Sequence, residues 1–408
     1  MGKSSHFSGQ PLYGQVIKLL DRLKILEISR EKGGERYVKS FDAWTHTVTM
    51  LYAVIMRFDS LREISVSMLA EARKLGHLGI SMMPTRSTLS DANARRPEAI
   101  FEAVYRQLYG RYRLALSSDS RGRLAAKWMK RLQIIDSTTI SLFSNLLFKG
   151  DGRNPKTGRK KGGIKVHAVI HANEGVPSDV KFTSAATNDS FMLKPANFND
   201  GDVLAMDRAY IDYAKLEELT RRGVIYVTKM KKSLSYVLWE DFMWQNPDGL
   251  MECIRHVTFH KTVKDGVLIR HHARIISYVD EKKHKVIDLL TNDMDSTPEE
   301  IVAVYRQRWE IELLFKQIKQ NFPLRYFFGE SRNAIKIQIW ITLIANLLLM
   351  VIQRRLKRPW SFSGLATIVR LTLMYYVDLY SLLNQPEKDW QILLEEASGA
   401  PPEPSLFD

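Results

Sequence analysis

The feature that most constrains the fold is a change of texture at Leu132. From there the apolar residues stop recurring at helical spacing and gather into four short runs: Leu132 to Ile135, Val166 to Ala172, Val180 to Ser184 and Val203 to Met206. Short apolar runs bounded by polar and turn residues read as strands. The first three leave no room for a helix between them, and Phe191 to Phe198 offers one short helix before the fourth. The expected order is β-β-β-α-β, the start of an α/β fold with a mixed sheet and flanking helices. Val224 to Thr228 adds a fifth strand. Between Ser233 and Thr291 the sequence alternates around a Pro247-Asp248-Gly249 turn, which predicts a β-rich insertion before a helix that starts at Pro298.

Helical segments flank this region. From Phe41 to Leu116 apolar residues recur at helical spacing. Ser60 and Glu63 form a capping-box pattern that opens a helix running toward the Gly76 to Gly79 turn. A second, polar helix starts after Pro84, carries Arg86, Ser90, Asn93, Arg95 and Arg96, and stops before Pro97. Helix, glycine turn and polar helix resemble a helix-turn-helix, so Arg86, Arg95 and Arg96 are expected to contact DNA. Downstream, Ile337 to Ile352 is shorter than the roughly 20 residues that span a bilayer and is interrupted by Gln338 and Asn346, so it reads as a buried helix. Helices are expected to continue to Leu383, and the acidic, proline-bearing tail beyond them reads as disordered.

Composition narrows the partners. At 408 residues the chain exceeds one average domain. Its 60 Lys and Arg against 45 Asp and Glu give a net charge of +15, which favours a polyanionic partner. A single cysteine, Cys253, excludes an internal disulfide and a cysteine zinc site. With no apolar leader core at the N-terminus, the expected compartment is the cytoplasm.

The candidate chemistry is carried by carboxylates. Asp136 follows Leu132-Gln133-Ile134-Ile135, and Asp207 follows Val203-Leu204-Ala205-Met206, so each is expected at a strand end, fixed by the sheet yet able to face a cleft. On the helix expected from Pro298 to Asn321, a turn of roughly 100° per residue places Tyr305, Arg308, Glu312 and Lys319 within a sector of about 60°. Lys316 and Trp309 border that stripe, and Val304, Ile311, Leu314 and Ile318 lie on another side. An isolated Arg308 to Glu312 pair would be worth only a few tenths of a kcal/mol, and it leaves Tyr305 and Lys319 on the stripe unexplained. Three carboxylates ringed by cations suit phosphoryl transfer with two hard divalent ions, Mg²⁺ or in its place Mn²⁺. Without those ions, three neighbouring acids would raise one another's pKa.

Asp136-Ser137-Thr138, Asp207-Arg208-Ala209-Tyr210, Leu290-Thr291-Asn292 and the run from Tyr305 through Arg308 and Glu312 to Lys319 together resemble the DDE transposases of the insertion sequence four family, the Tyr-Arg-Glu-Lys signature type. The resemblance implies a ribonuclease-H-like core interrupted by the β-rich insertion. It implies that Asp136, Asp207 and Glu312 bind metal and that Tyr305, Arg308 and Lys319 hold phosphates of the element's end. It also implies cut-and-paste DNA transposition at terminal inverted repeats through a hairpin intermediate, by a homodimer that bridges two ends and joins them to target DNA. The segments expected on this basis are a helical DNA-binding unit over 1–120, core over 121–232, insertion over 233–289, the rest of the core over 290–350, and C-terminal helices with an acidic tail over 351–408.

The stretch from Lys149 to Lys165, with Arg159, Lys160 and Lys161 among glycines, reads as a basic hairpin that clamps DNA backbone. His167 and His171 read as packing histidines, and no Walker or Gly-x-Ser-x-Gly pattern is present. Two rival readings stand beside the transposase: a metal-dependent nuclease that cuts without inserting, and a DNA-binding regulator whose acids are incidental. The regulator would bind DNA without Mg²⁺-dependent nicking.

Overall fold

Residues 4–117, 127–141, 163–245, 251–262, 266–280 and 284–398 are described in a computed structural model of the chain. By internal contacts the chain forms two compact units, one from Met1–Ala115 with Gln317–Asp408 and the other from Leu116–Lys316. The five segments read in the sequence thus fall into two bodies.

The first unit is helical. It begins with α1 (Leu12–Ile17), α2 (Arg22–Glu31), α3 (Ala43–Met56), α4 (Leu61–Ala70), α5 (Arg86–Arg95) and α6 (Ala99–Leu116). The first two precede the stretch of helical apolar spacing that begins at Phe41. At the start of α4, Ser60 accepts from the Glu63 backbone N–H, but the Glu63 carboxylate reaches back to the Asp59 N–H, so the box closes one residue early. The connection from α4 to α5 holds a 3₁₀ turn over Ala72–Leu78 and is far longer than the roughly four-residue turn of a helix-turn-helix. The compact motif expected there is not formed.

The second unit holds one nine-stranded sheet. Its members are β1 (Leu132–Ser141), β2 (Gly163–His171), β3 (Pro177–Ser184), β4 (Val203–Met206), β5 (Ile225–Lys229), β6 (Val237–Gln245), β7 (Met251–Thr262), β8 (Leu268–Asp280) and β9 (Lys285–Thr291). Their order is β3-β2-β1-β4-β5-β9-β8-β7-β6. Strands β1, β4 and β5 are parallel, and β2 and β3 continue antiparallel on one side. The β-rich segment does not stand apart: β9 returns to pair with β5 through Val227↔Thr291, Thr228↔Leu290 and Lys229↔Leu289. Asn292 lengthens this seam, accepting from the Tyr226 N–H and donating to Thr220 Oγ1 and the Val224 carbonyl. Where one short helix was expected, Asp189–Met192 and Pro195–Asn197 form 3₁₀ turns. Asn188 caps the first, and Pro195 begins the second, so no α-helix can run through both.

Helix α7 (Tyr213–Arg221) covers one face of this sheet with Leu216 and Leu219, packed among Ile135, Leu204, Met206, Tyr226, Phe259 and Ile275. Since side chains alternate along a strand, Ile134, Asp136 and Ala205 point to the other face. There α8 (Pro298–Gln307) packs on β4 and β5, followed by α9 (Trp309–Asn321). The helix expected to run unbroken from Pro298 is interrupted at Arg308. Its start is secured by Thr297 and Glu300, which exchange both bonds of a capping box.

The chain then rejoins the helical unit through α10 (Arg332–Arg355), α11 (Phe362–Thr372), α12 (Leu379–Asn384) and α13 (Lys388–Ser398). Helix α10 is long and apolar enough to cross a membrane by length and composition, yet its most apolar window is 89% buried inside the protein. It packs on α3, α5 and α11, and Gln338, Thr342 and Asn346 are buried along it. Part of the tail expected to be disordered is helical: Asp389 in α13 accepts from Ser4 Oγ and the Ser5 N–H. Residues 399–408 lie outside the described residues.

Candidate active site

Strand β1 runs past the end of its parallel neighbour. The β1–β4 ladder stops at Ile135↔Met206, while β1 goes on pairing with β2 to Ser141, with Asp136 opposite Ala168. Asp136 therefore lies within a strand, not at its end. What ends beside it is β4, so Asp136 has no β4 partner at its own rung. Asp207 follows β4 directly and caps the 3₁₀ turn Arg208–Tyr210, with Oδ1 accepting from the Ala209 N–H at 2.9 Å. Glu312 stands in the first turn of α9, where the helix dipole favours an acid.

Arg308 joins two of these acids. Its Nη1 lies 2.6 Å from Glu312 Oε1 and 3.4 Å from Asp136 Oδ2. The guanidinium sits 5.6 Å from the Tyr305 ring centroid and 5.5 Å from that of Trp309, within cation–π range of both. Asp136 Oδ1 accepts from the Ser137 N–H at 2.7 Å. Burial pushes the Asp136 carboxyl up to about 6; Arg308 and the Ser137 N–H oppose the rise, and Asp207 and Glu312 add to it. The expectation of a partly protonated site holds for Asp136, although desolvation outweighs repulsion among the acids.

A fourth acid lies close by, and the sequence reading passed over it. Asp189 accepts from Ser137 Oγ at 2.7 Å and from Lys165 Nζ at 3.2 Å. Lys165 was expected in the basic clamp; its side chain is instead mostly buried, held by Asp189 and by the Thr187 carbonyl. The only sequence signal for this knot was the Asn188-Asp189 turn. Next to it Tyr210 is fully buried, and its hydroxyl is held far above the usual phenol range by burial and by the neighbouring acids, Asp189 first. His167 packs with Nε2 on Thr183 Oγ1, and burial lowers its pKa to about 4.

The other expected contacts divide. Arg86 and Arg95 are exposed on α5, and Lys316 and Lys319 are exposed on α9. Arg96 and Asn93 turn inward. Arg96 is 5% exposed and donates to the carbonyls of Phe41 and Gly34, so its guanidinium is used by the fold and has no face for DNA. Asn93 bonds His46 and the Phe328 carbonyl. Arg159, Lys160 and Lys161 lie outside the described residues. Among the described residues no three His, Cys, Asp or Glu side chains are gathered closely enough to enclose an ion. The donor set still suits a hard divalent cation: each Asp has one oxygen not used by a backbone N–H, and Asp136 and Glu312 already share the charge of Arg308.

Comparison with known proteins places the chain in a family. Residues 127–348 match the family model "Transposase DDE domain", and residues 8–81 match a domain of unknown function, DUF4372. The chain is 30% identical over 275 residues to a putative transposase, y4zB, of Sinorhizobium fredii, covering 67% of this chain and 73% of that protein. It is 25% identical over 250 residues to a probable transposase for insertion sequence element IS5377 of Geobacillus stearothermophilus, covering 59% of this chain and 62% of that one. Among solved structures it resembles the piggyBac transposase synaptic complex with hairpin DNA at 11% identity and a TM-score of 0.42, covering 96% and 86% of the two chains. The matched model covers more than half of the residues and holds all three acids, so the chain belongs to the DDE transposases, of the insertion sequence four type, and is a DNA-cleaving and strand-transferring enzyme.

Proposed function

We propose that the chain carries out cut-and-paste transposition with Asp136, Asp207 and Glu312 as ligands of divalent ions on a ribonuclease-H-like core formed by β1 to β5. The observation that carries this reading is the ion pairing of Arg308 with both Asp136 and Glu312, with Asp207 close enough to raise the Asp136 carboxyl. Acids on a strand and a helix distant in sequence thus converge on one positive charge. Mg²⁺, or Mn²⁺ in its place, would supply activation of the attacking oxygen and neutralisation of the leaving one.

The chain's own residues do the rest. Asp136 offers Oδ2, since Oδ1 is held by the Ser137 N–H, and the Ser137–Asp189–Lys165 knot fixes the strand beside it. Asp207 offers Oδ2 in the same way. With Asp136 and Glu312 as ligands, Arg308, together with Tyr305 and Lys319, would hold a phosphate of the DNA end. Exposed Arg86 and Arg95 in the helical unit, and exposed Lys316 on α9, would each contact duplex, as would Arg159, Lys160 and Lys161. A homodimer would hold the two inverted-repeat ends and the target in the bacterial cytoplasm.

The test is incubation of the protein with Mg²⁺ and duplex DNA bearing the element's own end, followed by resolution of nicked, hairpin and joined products. Asp136→Asn, Asp207→Asn and Glu312→Gln should each lower cleavage by about 10³-fold or more, several kcal/mol of transition-state stabilisation, while end binding persists. Strand transfer at the wild-type rate in any of the three would refute the assignment. Nicks without hairpin or joined product would favour the simple nuclease.

A further inference from the structure

Outside the catalytic site, the helical unit builds a second cationic surface from an unexpected part of the chain. The loop between α2 and α3 and the exposed side of α5 enclose a groove of about 600 Å³. From the loop come Arg36, Tyr37 and Lys39, and from α5 come Ser87, Thr88 and Arg95, with Asp91 the only acid lining it. Tyr37 is 87% exposed, an unusual place for a large aromatic ring.

This loop is held from beneath. Gly34 passes so close to α6 that a Cβ there would lie 2.3 Å from Ile100 Cδ1 and 2.6 Å from Ser29 Oγ. The buried Arg96 guanidinium grips both ends of the loop through the Gly34 and Phe41 carbonyls. The Glu35 carboxylate accepts from Ser29 Oγ at 2.6 Å and from the Ala43 N–H at 2.9 Å, and pairs with Arg96 at 3.8 Å. At the tip, Tyr37 adopts a left-handed backbone with φ 60°, and the Arg36 guanidinium lies 5.1 Å from its ring and donates to its hydroxyl. Positive φ in a non-glycine residue persists where the surroundings enforce it, and it commonly marks a binding site. The internal charges, Glu35 and Arg96, neutralise each other. The outward ones do not, leaving three cations against one acid.

We infer that this groove binds the phosphodiester backbone of duplex DNA, with Arg36, Lys39 and Arg95 on phosphates and the Tyr37 hydroxyl and Ser87 as neutral donors. Such contacts fix register on the duplex and require no base reading. The inference rests on the transposase reading and deepens it, giving a role to the part of the chain matched only by a domain of unknown function, which contains the whole loop.

The experiment measures affinity of the full chain for a fluorescent random-sequence duplex of about 30 base pairs across a salt series. Each lost phosphate contact lowers the slope of log affinity against log salt by about 0.9, so Arg36→Gln with Lys39→Gln and Arg95→Gln should lower it by about 2 to 3. Three neutralised cations elsewhere, Lys18→Gln with Lys285→Gln and Lys388→Gln, should leave the slope within about 0.5 of wild type. Lys39→Glu alone should lower the slope by about 1 or more, which guards against misfolding of the triple variant. Equal slopes for the two triple variants overturn the inference. So does a groove variant that loses polyglutamate binding as much as DNA binding, which would mark an acidic-protein site. If the wild-type chain binds no duplex at all, the transposase reading fails, not the groove alone.

Discussion

Two stretches of this chain look alike in the sequence and end in opposite circumstances. Helix α5 with Arg96 and the α8–α9 segment each offer arginines on a polar stripe beside apolar residues. In α8–α9 the stripe stays open to other acids: Arg308 pairs with Glu312 in α9 and with Asp136 at the edge of the parallel ladder. In α5 the stripe is split, with Arg95 outside and Arg96 and Asn93 consumed in joining the α2–α3 loop, α3 and the segment before α10. A polar side chain becomes a reagent or a rivet according to what packs over it, and the packing partner is seldom adjacent in sequence.

The sharpest way to break this contrast is to exchange the expected costs. Arg96→Ala strips two carbonyls and Glu35 of their donor inside the unit, so chemical denaturation should show a loss of about 3 to 5 kcal/mol, against about 0.5 kcal/mol for Arg95→Ala. Equal losses would mean that Arg96 is not the clamp. In the catalytic unit the sign reverses, because a charged Asp136 is a burden on the metal-free protein. Its carboxyl is raised to about 6 in the fold, so the stability it contributes is fully present below the unfolded value near 4 and is lost as pH rises through 6. Asp136→Asn should therefore stabilise the metal-free protein at pH 8 by on the order of 2 to 3 kcal/mol, with the gain fading between about pH 6 and 4 in thermal melts. A gain independent of pH would point away from the carboxylate. The smallest effect is expected at Arg308. Arg308→Gln removes the cation that Asp136 and Glu312 share, and calorimetric titration with Mn²⁺ in the absence of DNA should show affinity about tenfold higher. Unchanged affinity would show that the guanidinium and the ion do not compete.

These two regions also mark how far the sequence could be read. Local signals served well: β4 spans Val203–Met206 as its apolar run requires, Asp207 follows it, and Thr297 and Glu300 open the helix before Glu312. What escaped was decided by distant pairing. The length of β1 depends on β2 continuing beside it, which moves Asp136 from a strand end to a strand interior. The β-rich segment was read from its alternation, but its return to β5 through three residue pairs leaves no local mark. Lys165 resembled every other lysine of the basic stretch until Asp189 came to meet it. Arg308 was placed by arithmetic on one stripe with Glu312, with which it pairs, but the break in the helix at Arg308 was not visible in the periodicity.

The seam between β5 and β9 has a consequence for how such enzymes can vary. Beyond β9 the sheet is carried by β8, β7 and β6, and it meets β5 only through β9, at a joint of three residue pairs that Asn292 fastens with three side-chain bonds. Strands β7 and β8 are also held in the core under α7, through Phe259 and Ile275, whereas β6 is exposed along most of its length. The outer edge is thus a cassette, which can be trimmed, lengthened or exchanged as long as that joint and the α7 face of β7 and β8 are kept, while β1, β4 and the helix bearing Glu312 stay where they are. In that view Leu290-Thr291-Asn292 is joinery, and a graft that spares it and those two strands should carry a foreign edge strand without disturbing the acids.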